Sequence, residues 1–231
     1  MAKKGGSPHY LRIRSPSNLP IAGKKEEMWL LSSAPGPHAK NSSISLGVLM
    51  RDVLKVVATV RECKKILGAK QVLVNGVAQK ETKLPIGLMD VIALPSAGKY
   101  YRMGIRAFRL QPVEITAEEA KKQFLKVVKK HTIAGGKVCI TFHNGRNLIA
   151  DNDLKVGDTV IFSDKKILKV LKFKSGARCL VVSGKHAGDI AQFESLIERT
   201  GSMDAEAKLK GANSEFVTVA KYLFAVDETF N

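Results

Sequence analysis

Thr59-Val60-Arg61-Glu62-Cys63-Lys64-Lys65-Ile66-Leu67-Gly68, followed by Val72-Leu73-Val74-Asn75-Gly76, is the stretch on which the fold turns. Thr59 offers a side-chain oxygen to the first free amides of a helix. Val60, Cys63 and Leu67 recur at the spacing of one helix face, and Gly68 can end the helix. Arg61, Lys64 and Lys65 then point outward. Val72-Leu73-Val74 reads as a strand and Asn75-Gly76 as a tight hairpin turn. Upstream, Leu46, Leu49, Met50, Val53, Leu54 and Val57 repeat the spacing of an earlier amphipathic helix, with Arg51 and Lys55 on its other side. Downstream, Val91-Ile92-Ala93-Leu94 follows Asp90 as another strand. Two short helices carrying Arg51, Lys55, Arg61, Lys64 and Lys65, with Lys70 close behind, form a face that can track phosphates. An ordinary solvated helix face has the same composition.

Charge bears on that choice. The 231 residues include 38 Lys plus Arg against 21 Asp plus Glu, a formal net charge of +17. Such an excess repels itself in a compact chain, and a polyanion relieves it. Nucleic acid is the first candidate and an anionic membrane surface the second. Hydrophobic residues make up 45% and aromatics 6%, which fits several small strand-rich modules better than one large aromatic core. No run of about 18 apolar residues occurs, so no transmembrane helix is expected. The start, Met1-Ala2-Lys3-Lys4, leads into no apolar segment and does not read as a secretory signal. Cys63, Cys139 and Cys179 are far apart with no C-x-x-C pair, and read as buried apolar residues in a reducing cytoplasm.

Residues 1–42 differ from the rest. Pro8, Pro16, Pro20, Pro35 and Pro37 interrupt any regular pattern, and basic residues outnumber Glu26 and Glu27. The composition predicts an extended arm that RNA orders, with Lys3, Lys4, Arg12 and Arg14 near phosphates and with Trp29 and Leu30 tucked against the body. Beyond residue 100 strands and turns dominate. Thr116-x-x-Glu119 is a capping box, and Ala120, Phe124, Val127 and Val128 predict a helix that leaves Lys121, Lys122, Lys126, Lys129 and Lys130 on the surface. Strands are expected at 138–142, 160–162, 167–173, within 179–193, and at 216–220 and 222–226. The last thirty residues are not basic, so a binding face belongs to the arm and body.

The helix pair, Val72-x-Val74-Asn75-Gly76 and Gly87-Leu88-Met89-Asp90-Val91-Ile92 resemble the RNA-binding module named after bacterial ribosomal protein four. Leu180-Val181-Val182-Ser183-Gly184-Lys185-His186-Ala187-Gly188-Asp189-Ile190-Ala191 resembles the KOW motif of ribosomal and transcription-elongation proteins, with Gly184 and Gly188 as its glycines and Lys185 at the loop tip. The order of these segments is more specific than either. The arm ends in Pro35-Gly36-Pro37-His38. Phe108-Arg109-Leu110, Ile115-Thr116-Ala117-Glu118-Glu119-Ala120, Phe142-His143-Asn144-Gly145-Arg146-Asn147 and Leu154-Lys155-Val156-Gly157-Asp158-Thr159-Val160 then follow. The whole, over residues 7–226, resembles the archaeal and eukaryotic small-subunit ribosomal protein four of e type, with the non-basic C-terminus of an archaeal member.

The expectation is an α+β chain in four parts: a basic arm over 1–42, the helix-pair module over 43–98, a central β-barrel-like domain with one helix over 99–172, and a KOW or SH3-like barrel over 173–231. The resemblance implies small-subunit ribosomal RNA and neighbouring ribosomal proteins as partners, in the cytoplasmic ribosome, and no enzymatic activity, cofactor, metal, small-molecule substrate, membrane or homo-oligomer. The RNA-binding candidates are Lys3, Lys4, Arg12, Arg14, Arg51, Lys55, Arg61, Lys64, Lys65, Lys70, Arg146 and Lys185. His9, His38, His131, His143 and His186 are scattered and suggest neither metal ligation nor a nucleophile–base pair. Two other readings stay open: an RNA-modifying enzyme guided by the helix-pair module, and a free KOW-type translation or transcription factor.

Overall fold

The computed structural model describes residues 7–21, 23–149, 153–163, 166–211, 214–227 and 230. Strands dominate, helices are short, and the chain divides into two compact units: residues 1–104 with 109–120, and residues 105–108 with 121–231. The fold is α+β.

In the first unit, β1 (His9–Leu11) pairs antiparallel with β2 (Trp29–Leu31). β3 (Ile44–Ser45) leads into a single α-helical turn, α1 (Leu46–Val48), which continues as a π-helical turn over Leu49–Val53. The wider turn closes with the Leu54 amide donating to the Leu49 carbonyl at 2.9 Å. The expected apolar stripe is there, with Leu46, Leu49 and Met50 fully buried. Lys55 does not extend this helix; it stands beyond the end at φ 52°. α2 (Val60–Gly68) matches its expected bounds and buries Cys63 and Leu67. β4 (Leu73–Val74) and β5 (Val77–Ala78) enclose Asn75 at φ 50° and Gly76 at φ 77°, the pair of positive angles a two-residue hairpin requires. β6 (Pro85–Ile86) pairs with β3, and β7 (Val91–Leu94), β8 (Lys99–Arg106) and β9 (Arg109–Glu114) complete a sheet of order β5-β4-β7-β8-β9.

The arm departs from its expected form. Over the described part of residues 7–42 it is folded into the first unit. Leu19, Ile21 and Leu30 are buried, whereas Trp29 remains 53% exposed. Backbone bonds tie the segment down: Ser32 donates to Pro8, Ala34 to Lys83, and Leu110 to Asn18. Proline and serine keep this segment from looking like an element, but single apolar residues and main-chain donors suffice to hold it. At its end, the His38 imidazole lies 2.9 Å from the buried Asp90 carboxylate. A Cβ on Gly87 would fall 2.3 Å from the His38 ring, so this close packing needs glycine. Asp90 also accepts from Asn75 Nδ2 and the Gly87 amide, and Asn75 Oδ1 accepts from the Val91 amide. Lys3 and Lys4 lie outside the described residues.

The helix expected beyond Thr116 is a single turn, α3 (Ala117–Ala120), although its capping box forms. The chain then enters β10 (Gln123–Thr132), the central strand of the order β12-β11-β10-β13-β14. It pairs with β11 (Val138–Phe142) and β13 (Thr159–Ser163), which pair in turn with β12 (Asn147–Ile149) and β14 (Lys166–Leu171). Leu125 and Val127 face a core with Ile140, Phe142, Leu154 and Val160, while Phe124 meets Phe230 edge-on at 6.1 Å. A bulge between Val127 and Lys129 shifts the register and leaves Val128 exposed. A two-residue period interrupted by one extra residue imitates helical spacing, which is why this strand has the apolar pattern of a helix.

The last sheet has the order β18-β17-β16-β15-β19. It comprises β15 (Arg178–Val181), β16 (Ile190–Ile197), β17 (Glu206–Lys210), β18 (Glu215–Val219) and β19 (Leu223–Ala225). Its core joins Cys179, Val181, Phe193, Leu209 and Leu223. Lys126, expected on the surface, instead donates from Nζ to the carbonyls of Lys221 and Leu223 at 2.9 and 2.6 Å. Burial lowers its pKa to about 8. Cys63, Cys139 and Cys179 are all buried free thiols, and burial pushes Cys179 up to about 12.

Candidate nucleic-acid interface

α2 presents the clearest open cationic face. Thr59 accepts from the Glu62 amide, and the Glu62 carboxylate accepts from the amides of Ala58 and Thr59, closing a full capping box. Those amide bonds, Ala58 first, hold Glu62 below the usual carboxylate range. The helix's single carboxylate is thereby directed to its own N-terminus. Arg61, Lys64 and Lys65 are exposed and take part in no ion pair among the described residues. Lys70, at φ 57°, is exposed just past the helix.

Lys64 also opens onto a cleft of about 520 Å³ lined by His9, Lys80, Glu81, Lys83, Val60 and Leu31 among others. Three lysines from α2 and the loop after β5 thus surround one concavity. The sequence alone does not mark Lys80, Lys83 and His9, because nothing in spacing places residue 9 beside residues 64 and 83. The Asn75-Gly76 hairpin is the only local signal that the chain doubles back toward α2.

Arg12 and Arg51 behave differently. Arg12 is buried, with Nη1 at 3.2 Å from Glu27 and 3.5 Å from Asp52. Arg51 forks onto Asp52 at 2.8 and 3.0 Å and also reaches Glu27 at 3.2 Å. The hydrogen bond to Asp52 raises the Arg51 pKa above its ordinary value. Two arginines against two carboxylates make a neutral cluster that joins the arm to the first helical turn. It is not a display of cations to solvent. Arg14 is exposed next to it, and Lys55 is exposed at its left-handed position.

The two remaining candidates lie in the second unit. Arg146 is exposed and bonds Gln123 Oε1 from Nη1 at 2.9 Å, while its amide donates to the buried Asn144 side chain. Lys185 stands exposed at the tip between β15 and β16. Gly184 and Gly188 hold φ 95° and 100°, and a Cβ on Gly188 would meet the Ile105 carbonyl at 3.2 Å. No group of three or more His, Cys, Asp or Glu side chains is placed to hold a metal among the described residues.

The chain is similar to known proteins in sequence and fold. The family model described as ribosomal family S4e matches residues 97–167. The small ribosomal subunit protein eS4 of Korarchaeum cryptofilum is 36% identical over 228 residues, covering 96% of this chain and 97% of that protein. Its counterpart in Methanosphaera stadtmanae is 35% identical, covering 99% and 95%. The crystal structure of the 30S ribosomal protein S4e from Thermoplasma acidophilum superposes with a TM-score of 0.70 at 28% identity, covering 82% of this chain and 97% of that one. Likeness at this level, carried through nearly the full length of both relatives, makes the chain a member of the ribosomal S4e family.

Proposed function

We propose that the chain is a structural constituent of the small ribosomal subunit, binding its ribosomal RNA and neighbouring ribosomal proteins in the cytoplasmic ribosome. It acts in translation as a scaffold and not as an enzyme. The observation that carries the reading at residue level is the capped helix α2, whose Arg61, Lys64 and Lys65 face solvent with no ion pair among the described residues, in a chain of net charge +17. Such a face gains most from meeting phosphates.

The capped helix and the Asn75-Gly76 hairpin support residues 43–98 as a ribosomal-protein-four-type module, with Lys55 and Lys70 at its margins. The positive-φ glycines of the 180–191 hairpin support a KOW-type module, with Lys185 as its RNA contact. The five strands β10–β14 support a central barrel-like domain. Arg14 and Arg146 complete the RNA-facing set, and Lys3 and Lys4 extend it along the N-terminus. Co-sedimentation with small subunits in high salt tests the ribosomal assignment. Footprinting of the small-subunit RNA with and without the protein tests the individual residues. A chain that left the subunit at moderate salt would favour a free KOW-type factor.

A further inference from the structure

Two hairpins of the chain turn through a pair of residues with positive φ. One is Asn75-Gly76, the residue types such a turn favours. The other joins β8 to β9 through Ala107 at φ 46° and Phe108 at φ 64°. The left-handed region is unfavourable for both, and most of all for a bulky side chain. Burial of the ring does not offset this, since Phe108 is 56% exposed. The flanks of the turn add a second strain. Ile115 donates to the Tyr100 carbonyl at 3.0 Å, and that register sets Arg106 opposite Arg109. Like charges directly opposite on paired strands repel. Both arginines are exposed and enter no ion pair among the described residues. The tip is nevertheless held in place. A Cβ at Gly188, in the loop between β15 and β16, would lie 3.2 Å from the Ile105 carbonyl and 3.5 Å from the Ala107 amide nitrogen, so that loop backs directly onto the turn.

We propose that this tip binds an unpaired nucleotide of RNA, its base stacked on Phe108 and the adjoining phosphates on Arg106 and Arg109. The inference rests on the ribosomal RNA-binding reading and adds a base contact to it. An aromatic side chain takes any base by its π-face, and phosphates relieve the repulsion between the two arginines. A base inside a duplex is already stacked, so the tip selects a loop, bulge or end. An apolar pocket on a protein would take the ring but leave the arginines opposed.

The test uses the full chain and full-length small-subunit ribosomal RNA, with filter binding over a salt series. Phe108→Ala should weaken binding about tenfold, within the range of one base–aromatic stack, with no change in the salt slope. Phe108→Trp should bind as wild type does. Arg106→Ala should flatten the log-log slope by roughly 0.7 to 0.9. Ala107→Asn combined with Phe108→Gly supplies the favoured turn, and should raise the melting temperature by about 2–4 °C while binding falls as in Phe108→Ala. A variant that is more stable and binds less cannot owe its loss to misfolding. If wild type binds the RNA and both variants lacking the ring bind equally well, the tip fails and the RNA reading stands; if wild type does not bind, the RNA reading fails and the tip with it. In assembled subunits, p-benzoylphenylalanine placed at position 108 should crosslink to RNA, and crosslinking to a protein instead would overturn the proposal.

Discussion

The lysines of α2 and the lysine at the middle of β17 carry the same charge and meet opposite fates. On α2, the only carboxylate is engaged chiefly by backbone amides at the cap, and Arg61, Lys64 and Lys65 are exposed with no ion pair among the described residues. On β17, Lys208 reaches Glu215 at 3.2 Å and Glu194 at 3.6 Å on the neighbouring strands, and its pKa rises through the hydrogen bond to Glu215 first. A basic composition thus announces a polyanion without saying which cations meet it. That depends on whether the fold supplies carboxylates of its own.

The largest effect should come from opening that contrast at α2. Replacing Arg61, Lys64 and Lys65 together by Ala should weaken binding to a small-subunit RNA fragment on the order of 100-fold at moderate salt. The log-log salt slope should flatten by roughly 0.7 to 0.9 for each phosphate no longer neutralised. Filter binding over a salt series would measure both, and an unchanged slope would reduce α2 to solvated surface. Arg12→Ala should do the reverse: RNA affinity per folded molecule stays near wild type, while stability falls by about 3 kcal/mol as Glu27 and Asp52 lose a buried partner. Urea titration reads it. Gly188→Val should cost about 2 kcal/mol, since valine is a poor occupant of φ 100° and its Cβ would press on the Ile105 carbonyl.

Lys126 sharpens the comparison from inside. Its folded-state pKa is lowered from 10.5 to about 8, so between those values the unfolded chain binds the proton more tightly. Lys126 should therefore add stability as pH climbs from about 8 to 10.5, by at most about 1.4 kcal/mol per pH unit, against an opposing loss above about pH 9 from Cys179, whose thiol the fold keeps protonated. Lys126→Met should remove that contribution in a series of thermal melts, leaving the change due to the other titrating groups, Cys179 among them. The smallest effect belongs to Lys208→Ala: RNA binding and its salt slope should match wild type, because that charge is already answered on the sheet.

The sequence made α2 legible because cap, apolar spacing and terminal glycine all agree over ten residues. It also revealed the Asn75-Gly76 hairpin and most later strands. It failed where one residue broke a period, at the Val128 bulge, and where few apolar residues carried a segment, as in the arm. Within the interface, Arg51 and Arg61 look alike in spacing and charge. The neighbouring Asp52 and the folded arm, which brings Glu27 to Arg51, tell them apart. The lysines at 80 and 83 were hidden for the same reason, since their neighbour at position 9 is distant along the chain.

The pairing of β15 with β19 has a consequence for how the chain is made. β15 bonds β16 on one side and waits for Leu223–Ala225 on the other, in register Cys179 with Ala225. During synthesis, the first unit holds all its strands once residue 114 has emerged, whereas β15 keeps a bare apolar edge until Leu223–Ala225 are added. Such an edge invites pairing with a second nascent chain. Stop codons or pauses just before Leu223 should therefore be costlier to the yield of soluble protein than the loss of a three-residue strand implies.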